Sequence, residues 1–210
     1  MRYEELLKSL TLAEANRATE IPDPIRRVEF LTGSLLGREV AQEALGVDRD
    51  QISIQRMCAD CGGPHGRPAV RWKVSGRRDL SNSKGLDLSI SHAGGWVVAT
   101  CVTQGRVGVD IEDRAVVLDI ESVAGRILHP NEFRLTRGLD RDYLLRTWVQ
   151  KESLLKASGE GLRLPMSGIC LGGGAVRTWD EHPEHVGRID LRVLETPLGL
   201  IGAAALIAAP

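Results

Sequence analysis

Short β-type runs follow one another closely between residues 69 and 112, and this spacing constrains the fold more than any other feature of the sequence. The runs are separated by Gly, Asn and Ser and lie at 69–74, 86–91, 95–103 and 106–112. A parallel pair of strands needs a crossover of about a dozen residues or more, whereas a short turn can join antiparallel strands. The sequence therefore predicts antiparallel pairing rather than a doubly wound parallel sheet.

Helical segments flank this group of strands. Apolar residues recur at helical spacing over 26–45 and over 141–158, and Gly46 and Gly159 follow as C-terminal stops. Further helices are predicted at 119–128 and 130–137, and further strands at 51–57, 187–195 and 199–208. Strands that are grouped between helices, instead of alternating with them, indicate an α+β fold.

The charge balance argues against two classes of partner. The 210 residues include 27 Lys and Arg against 28 Asp and Glu, which gives a net charge of −1. A general nucleic-acid or membrane-surface binder would be strongly basic, so we expect neither partner. The longest apolar run, 198–209, is shorter than the roughly twenty residues that span a membrane. The first twenty residues lack a signal-peptide core, and these features predict a cytoplasmic protein with reduced cysteines.

The first segment that carries chemistry is the short strand at 108–112. Alternate side chains of a strand share a face, so Asp110 and Glu112 project together while Val109 and Ile111 point to the core. Two carboxylates on one face repel each other unless a cation lies between them. Oxygen ligands of this kind suit a hard ion such as Mg²⁺. The simpler interpretation, which stays open, is a solvated strand face.

A second segment, 148–159, lies at the end of the predicted helix at 141–158. At 3.6 residues per turn, Trp148, Glu152 and Lys156 line up on one side of this helix. A Glu–Lys pair at this spacing is commonly a surface pair, worth only about 0.3–0.5 kcal/mol. The large aromatic side chain and a second lysine, Lys151, beside the pair favour a functional site as the alternative.

A third segment, at 89–96, ends a strand and turns through two glycines. His92 at such a turn, together with the backbone amides around Gly94, can hydrogen-bond a phosphate. A histidine with a purely structural role is the open alternative. Upstream, the Gly/Pro-rich turn at 61–68 is expected to present Arg67.

Taken together and in order, these segments resemble the 4'-phosphopantetheinyl transferases, specifically the larger, monomeric Sfp-type. The family has a G-[IV]-D-[IV]-E strand followed by a W-x-x-K-E-[AS]-x-x-K-x-x-G helix, and here these motifs stand at 108–112 and 148–159. The turn CGGPHGRP and the segment SISHAGGW are similar to the family's G-[KR]-P turn and its serine–histidine motif. The resemblance extends over residues 26–167.

The resemblance implies an enzyme that moves the phosphopantetheine arm of coenzyme A onto a serine of an apo acyl or peptidyl carrier protein and releases adenosine 3',5'-bisphosphate. Asp110, Glu112 and Glu152 would hold Mg²⁺, or Mn²⁺ in its place, on the coenzyme A pyrophosphate. Glu152 would also act as the general base, and Lys156 would neutralise charge on the pyrophosphate. The residues expected at the nucleotide end of coenzyme A are Arg67, Ser91, His92, Arg27 and Arg38.

The resemblance also implies two similar α+β halves packed as a pseudo-dimer, with the active site in the cleft between them. Residues 1–105 would contact the nucleotide end of coenzyme A, and residues 106–210 would bind the metal and catalyse the transfer. The chain departs from the family pattern at Ala93, where a second serine is common, and at Ser34, where many relatives have arginine. Both departures concern contacts with the nucleotide.

Two other functions remain as alternatives. A Mg²⁺-dependent coenzyme A or nucleotide pyrophosphohydrolase would use the carboxylates to activate water, but such enzymes show a denser acidic cluster on a single helix. A non-catalytic carrier-binding module would keep the fold but would not need the three carboxylates and Lys156, so their presence counts against it.

Overall fold

The chain forms two compact units, residues 1–104 and 105–210. The computed structural model describes residues 10–56, 58, 61–63, 66–73, 80–82, 86–115, 120–135 and 140–210. Both units combine helices with antiparallel sheets, so the α+β class and the antiparallel pairing expected from the sequence are confirmed. The pseudo-dimeric packing of the halves stays a prediction. Within the described ranges, every helix is too short or too polar to cross a membrane.

The described residues of the first unit form two α-helices and five strands. They are α1 (Leu12–Thr19), α2 (Pro24–Leu45), β1 (Ile52–Arg56), β2 (Pro68–Lys73), β3 (Leu80–Asn82), β4 (Asp87–Ala93) and β5 (Trp96–Val102). Strands β1, β2 and β3 form one sheet, and β4 pairs with β5 in another. Asp23 caps the start of α2 by accepting the amide hydrogen of Ile25, and Gly46 ends this helix with a left-handed φ of 66°. The predicted helix at 26–45 is thus confirmed and begins two residues earlier.

The second unit surrounds one long helix. Its elements are β6 (Arg106–Asp113), α3 (Ile120–Ile127), α4 (Pro130–Leu135), α5 (Arg141–Ser158), β7 (Ile169–Gly172), β8 (Ala175–Trp179), β9 (Ile189–Val193) and β10 (Leu200–Ile207). Strand β10 is central in the sheet β6-β10-β9, and α5 packs against β6 and β10. The predicted helix at 141–158 is confirmed at both ends, with Asp140 as its N-cap and Gly159 as its C-cap.

Helix α1, the hairpin of β7 and β8 and the short strand β3 were not predicted from the sequence. Helix α1 begins with a capping box in which Thr11 and Glu14 each hydrogen-bond the other's backbone, and this pairing is a readable start signal. Strands β7 and β8 form a hairpin whose two-residue turn is Gly173-Gly174, with φ of 61° and 77°. Positive φ at both turn residues is the requirement of a type I′ turn, which Gly-Gly meets without strain.

Gly108 in β6 lets helix α5 approach the strand closely. A Cβ atom added at Gly108 would lie 1.9 Å from the carbonyl oxygen of Ser153 and 2.5 Å from the backbone nitrogen of Ala157. Both neighbours are backbone atoms, which cannot turn aside as a side chain can. Because residues 108, 110 and 112 share one strand face, the absence of a side chain at Gly108 brings α5 down onto the face that carries Asp110 and Glu112.

Gly108→Ala is therefore expected to destabilise the protein by about 3 kcal/mol or more, since overpacking against backbone must displace the helix. Urea unfolding at equilibrium measures the change. Gly125→Ala is the matched control, because a Cβ at Gly125 in α3 meets nothing within 4 Å. In an exposed helix position that change is expected to be neutral or to stabilise by up to about 1 kcal/mol. Equal stability of the two variants would contradict the close-approach account.

A buried ion pair fixes α5 on its other side. The Lys151 ammonium donates hydrogen bonds to Glu132 Oε2 at 2.6 Å and to the Ile127 carbonyl at 2.7 Å. Glu132 in turn accepts backbone amide hydrogens from His129 and Leu171, both at 2.7 Å. Both charged side chains are at most 1% exposed. Lys151 therefore joins α5 to α4 and β7, and it does not flank Glu152 as a second site lysine.

Candidate active site

The centre of the site is an ion pair between β6 and α5. The Lys156 ammonium donates hydrogen bonds to Asp110 Oδ1 at 2.6 Å and to the Val109 carbonyl at 3.1 Å. Asp110 is 4% exposed, whereas the side chain of Lys156 keeps 29% of its surface accessible. The two residues come from distant positions in the sequence, and the close packing at Gly108 brings them together. The cation therefore sits between a buried carboxylate and solvent.

Glu112 and Glu152 complete an acidic group around this lysine. Burial raises the pKa of Glu152 to about 7; Lys156 opposes the rise, and the charges of Asp110 and Glu112 add to it. Burial likewise raises the pKa of Glu112, with Asp110 adding to the rise and Lys156 opposing it. A single lysine thus leaves three neighbouring carboxylates incompletely neutralised, which is the condition under which a further cation binds well.

The alignment of Trp148, Glu152 and Lys156 along α5 brings all three to this group. Trp148 is half-buried, and its side-chain hydrogen bond with Glu112 partly opposes the rise that burial causes in the pKa of that carboxyl. The flanks of this side are apolar and buried, as the sequence pattern indicates: Leu144, Val149 and Leu155 are each at most 1% exposed. Helix α5 therefore presents an aromatic, an acidic and a cationic side chain to β6, and its apolar flanks pack in the core.

The three carboxylates fit a hard divalent ion by their chemistry, but their oxygens are not gathered. Among the described residues, one group of three His, Cys, Asp or Glu side chains has ligand atoms that all lie within 4.8 Å of one another. It consists of His182, Glu184 and His185. Asp110, Glu112 and Glu152 form no such group, and Asp110 Oδ1 is engaged by Lys156. Binding one ion would require the side chains to rotate, so this set of metal ligands stays a prediction.

The raised pKa of Glu152 predicts that the stability of the metal-free protein falls with pH. The folded state holds this proton more tightly than the unfolded chain, whose glutamate pKa is the ordinary 4.5. The resulting loss of folding stability is absent below about pH 4.5 and grows as the pH rises through about 7. The free energy of unfolding of Glu152→Gln, relative to that of the wild type, should therefore increase by up to about 3 kcal/mol between these two pH values. Urea unfolding in EDTA at several pH values tests this, and a pH-independent difference would contradict it.

In the first unit, His92 lies at the edge of a basic cavity. Its Nδ1 is 3.1 Å from Glu29 Oε2, and its side chain is 49% exposed. The cavity has a volume of about 320 Å³, and Arg17, Arg26 and Arg56 line it together with His92. These arginines were not predicted as site residues, because they are scattered along the sequence and share no motif. Only the fold places them around one space.

The other residues predicted at the nucleotide end are placed differently. Ser91 is buried and lies on the strand face opposite His92, so the two side chains do not share a surface. Arg67 pairs with Asp87. Arg27 donates two hydrogen bonds to the Ile21 carbonyl, and Arg38 is buried with a nitrogen 3.5 Å from Glu14. Contacts of these residues with coenzyme A stay predictions, and Arg38 would have to leave its buried position to make one.

The two departures from the family pattern fall in the same unit. Ser34 lies within α2 and is 1% exposed, and Ala93 is the last residue of β4, opposite Trp96. A larger arginine at position 34 would not fit the buried environment that serine occupies here.

Comparison with known proteins shows a match to a protein family in the second unit. Residues 106–196 match the model of the 4'-phosphopantetheinyl transferase superfamily. The 4'-phosphopantetheinyl transferase HetI of Nostoc sp. is 26% identical over 165 residues, which are 77% of this chain and 64% of that protein. The 4'-phosphopantetheinyl transferase Sfp of Bacillus subtilis is 28% identical over 145 residues, which are 67% of this chain and 56% of that protein.

A match to the solved structure of holo-ACP-synthase from Plasmodium yoelii covers 51% of this chain and 96% of that chain, with 20% identity and a TM-score of 0.40. The chain spans 56–64% of the length of the two curated relatives. The matched residues 106–196 contain β6 and α5, and with them Asp110, Glu112, Glu152 and Lys156. The second unit, from Arg106 to Thr196, therefore matches the 4'-phosphopantetheinyl transferase superfamily, and the chain is similar to these two curated transferases over 67–77% of its length.

Proposed function

We propose that this chain transfers the 4'-phosphopantetheine group of coenzyme A to a serine hydroxyl of an apo acyl or peptidyl carrier protein and releases adenosine 3',5'-bisphosphate. The observation that carries the proposal is the group formed by Asp110, Glu112, Glu152 and Lys156 on β6 and α5. All four residues lie inside the matched range 106–196. The similarity to the 4'-phosphopantetheinyl transferases HetI and Sfp supports the same reaction.

The chemistry requires charge stabilisation and one proton acceptor. The serine oxygen forms a bond to the phosphorus that carries the pantetheine arm, and the bond from that phosphorus to the bridging oxygen breaks, with the electron pair leaving on the nucleotide. Lys156, partly exposed at the edge of the group, would face the negative charge that grows there. Glu152 would accept the serine proton, and a pKa of about 7 suits a base near neutral pH.

A divalent ion belongs to the proposal as well. Asp110, Glu112 and Glu152 would hold Mg²⁺, with Mn²⁺ as a substitute, because carboxylate oxygens are the ligands that these hard ions prefer. When bound, the ion supplies Lewis-acid stabilisation of the phosphoryl oxygens. Burial raises the pKa of Glu152 and of Glu112, and repulsion by the neighbouring carboxylates adds to the rise. This repulsion supports the assignment, since a cation would relieve it.

The first unit would take the nucleotide end of coenzyme A. His92 with Arg17, Arg26 and Arg56 around one cavity offers several cations to the phosphates. The same proposal includes four residues that are buried or bonded to other parts of the first unit, namely Ser91, Arg67, Arg27 and Arg38. We further propose a cytoplasmic monomer that serves fatty acid, polyketide or nonribosomal peptide synthesis, as the family resemblance implies.

Metal removal is expected to stop the reaction. In excess EDTA, carrier modification should fall to background, and added Mg²⁺ should restore it, with Mn²⁺ also effective. The readout is the intact mass of the carrier after incubation with coenzyme A. A folded protein that modifies its carrier at full rate in chelator would contradict the role of the three carboxylates.

The transfer itself is tested by weighing the products. The pure protein is incubated with coenzyme A, Mg²⁺ and a small panel of apo carrier proteins. The proposal expects at least one carrier to gain the mass of a single phosphopantetheine group, with release of adenosine 3',5'-bisphosphate. Cleavage of coenzyme A without any carrier gain would identify a pyrophosphohydrolase instead. Binding of a carrier that is indifferent to coenzyme A and Mg²⁺, without turnover, would identify a non-catalytic module.

A further inference from the structure

A second cluster of ionisable side chains, His182, Glu184 and His185, lies in the second unit outside the proposed active site. The segment Pro183–His185 is a single 3₁₀ turn that begins after His182. Because this helix has three residues per turn, side chains three positions apart lie above one another. The imidazoles of His182 and His185 are accordingly stacked, with ring centroids 4.9 Å apart and planes 22° from parallel.

The donor atoms of this cluster converge. His182 Nδ1 lies 3.0 Å from Glu184 Oε1, and His185 Nε2 lies 3.9 Å from the same oxygen. The ligand atoms of all three side chains lie within 4.8 Å of one another. In a tetrahedral zinc site with bonds of about 2.0–2.2 Å, donor atoms are separated by about 3.3–3.6 Å. The cluster therefore needs only small side-chain shifts to hold such an ion.

The surroundings fix the rings in this arrangement. Trp179, which is fully buried, packs edge-on against both imidazoles, with centroids 5.1 and 5.9 Å away. His182 Nε2 contacts Glu160 Oε2 at 2.5 Å, which is the carboxylate partner that a metal-binding histidine commonly has on its second nitrogen. His185 Nδ1 is buried with no hydrogen-bond partner among the described residues, so Nε2 is the nitrogen through which this ring can bind a ligand.

We propose that His182, Glu184 and His185 bind one Zn²⁺, or a divalent transition ion of similar ligand preference, and that Glu160 orients His182 from outside the ligand set. Two imidazoles and one carboxylate suit zinc, whereas Mg²⁺ prefers oxygen ligands and water. Because Glu184 is exposed, a water molecule from solvent can supply the fourth ligand of the ion. The site would tie the 3₁₀ turn at Pro183–His185 to Glu160, two residues beyond the end of α5. The proposal does not depend on the transferase function.

Calorimetric titration with Zn²⁺ tests the site. The protein carries no affinity tag, is stripped of metal, and is kept in excess Mg²⁺ to saturate the acidic group near Lys156. Cys58→Ser and Cys61→Ser are present in every sample, because that pair could bind zinc through its thiols. The proposal expects one Zn²⁺ per chain. We expect His185→Gln to weaken binding by more than about 100-fold and Glu160→Gln to weaken it by about 10–100-fold.

His129→Gln is the matched control, because His129 lies in the same unit but outside the cluster, and it should leave Zn²⁺ binding unchanged. Thermal unfolding gives a second readout: Zn²⁺ should raise the midpoint of the parent protein and of His129→Gln, but not that of His185→Gln. Metal-free melting curves show whether each variant is folded. Absence of Zn²⁺ binding, or binding that survives His182→Gln and His185→Gln, would overturn the proposal and leave an ion-pair network only.

Discussion

Glu152→Gln is expected to lower the rate of carrier modification by about 10²–10⁴-fold, the range that a positioned general base contributes. Glutamine keeps the shape of the side chain but has no proton affinity near neutral pH and no charge for a divalent ion. The variant should fold normally, because its environment already favours an uncharged side chain at position 152, where burial raises the pKa to about 7. Initial rates measured by intact mass of the carrier, at saturating coenzyme A and Mg²⁺, give the ratio.

The control for this change is Glu195→Gln. It makes the same chemical substitution in the same unit, at an exposed position outside the acidic group, and should leave the rate within about twofold, as for most exposed surface changes. Thermal unfolding of both variants establishes that they are folded. Undiminished transfer by folded Glu152→Gln would remove Glu152 from the roles of base and metal ligand together.

Lys151→Met is expected to destabilise the protein by about 3–5 kcal/mol, because it leaves the carboxylate of Glu132 buried without its cation. The pair is completely enclosed, with a Nζ–Oε2 distance of 2.6 Å. Methionine has a similar length, so loss of volume contributes little. Burial lowers the pKa of Lys151 and the Glu132 partner opposes this, which means that the two charges sustain each other in the interior. Equilibrium unfolding in urea measures the loss.

Arg146→Met on the same helix provides the comparison. Arg146 contacts Asp142 at 2.7 Å, but both side chains are more than 40% exposed. A surface pair of this kind contributes about 0–1 kcal/mol, so the variant should differ from wild type by no more than that. A loss of less than about 1 kcal/mol for Lys151→Met would show that the buried pair is not what holds α5 against α4 and β7.

The sequence predicted the elements that have strong local signals. Helix α5 was predicted over 141–158, because its apolar residues have the helical period and Gly159 is a C-terminal stop, and the structure adds Asp140 as its N-cap. The β7–β8 hairpin was missed because its strands are four and five residues long, too short for a clear alternation. Its Gly173-Gly174 turn was the one available signal.

In the candidate site, too, local sequence patterns predicted some features and only the structure shows the others. Asp110, Glu112, Glu152 and Lys156 were predicted because they stand in two motifs of fixed spacing, each on one face of one element. The ion pair of Asp110 with Lys156 depends on the packing of α5 at Gly108, which no local pattern reveals. The arginines around His92 and the burial of Lys151 also arise from tertiary packing, since adjacent helix residues such as Lys151 and Glu152 point in directions about 100° apart.

The location of the divalent ion tests the central claim most directly. Crystals of the protein with coenzyme A and Mn²⁺ would show the ion by its anomalous scattering. The account predicts one ion contacted by oxygens of Asp110, Glu112 and Glu152, with Lys156 beside the coenzyme A pyrophosphate. Absence of an ion at these three carboxylates, or a bound pyrophosphate with the carboxylates still apart, would contradict it.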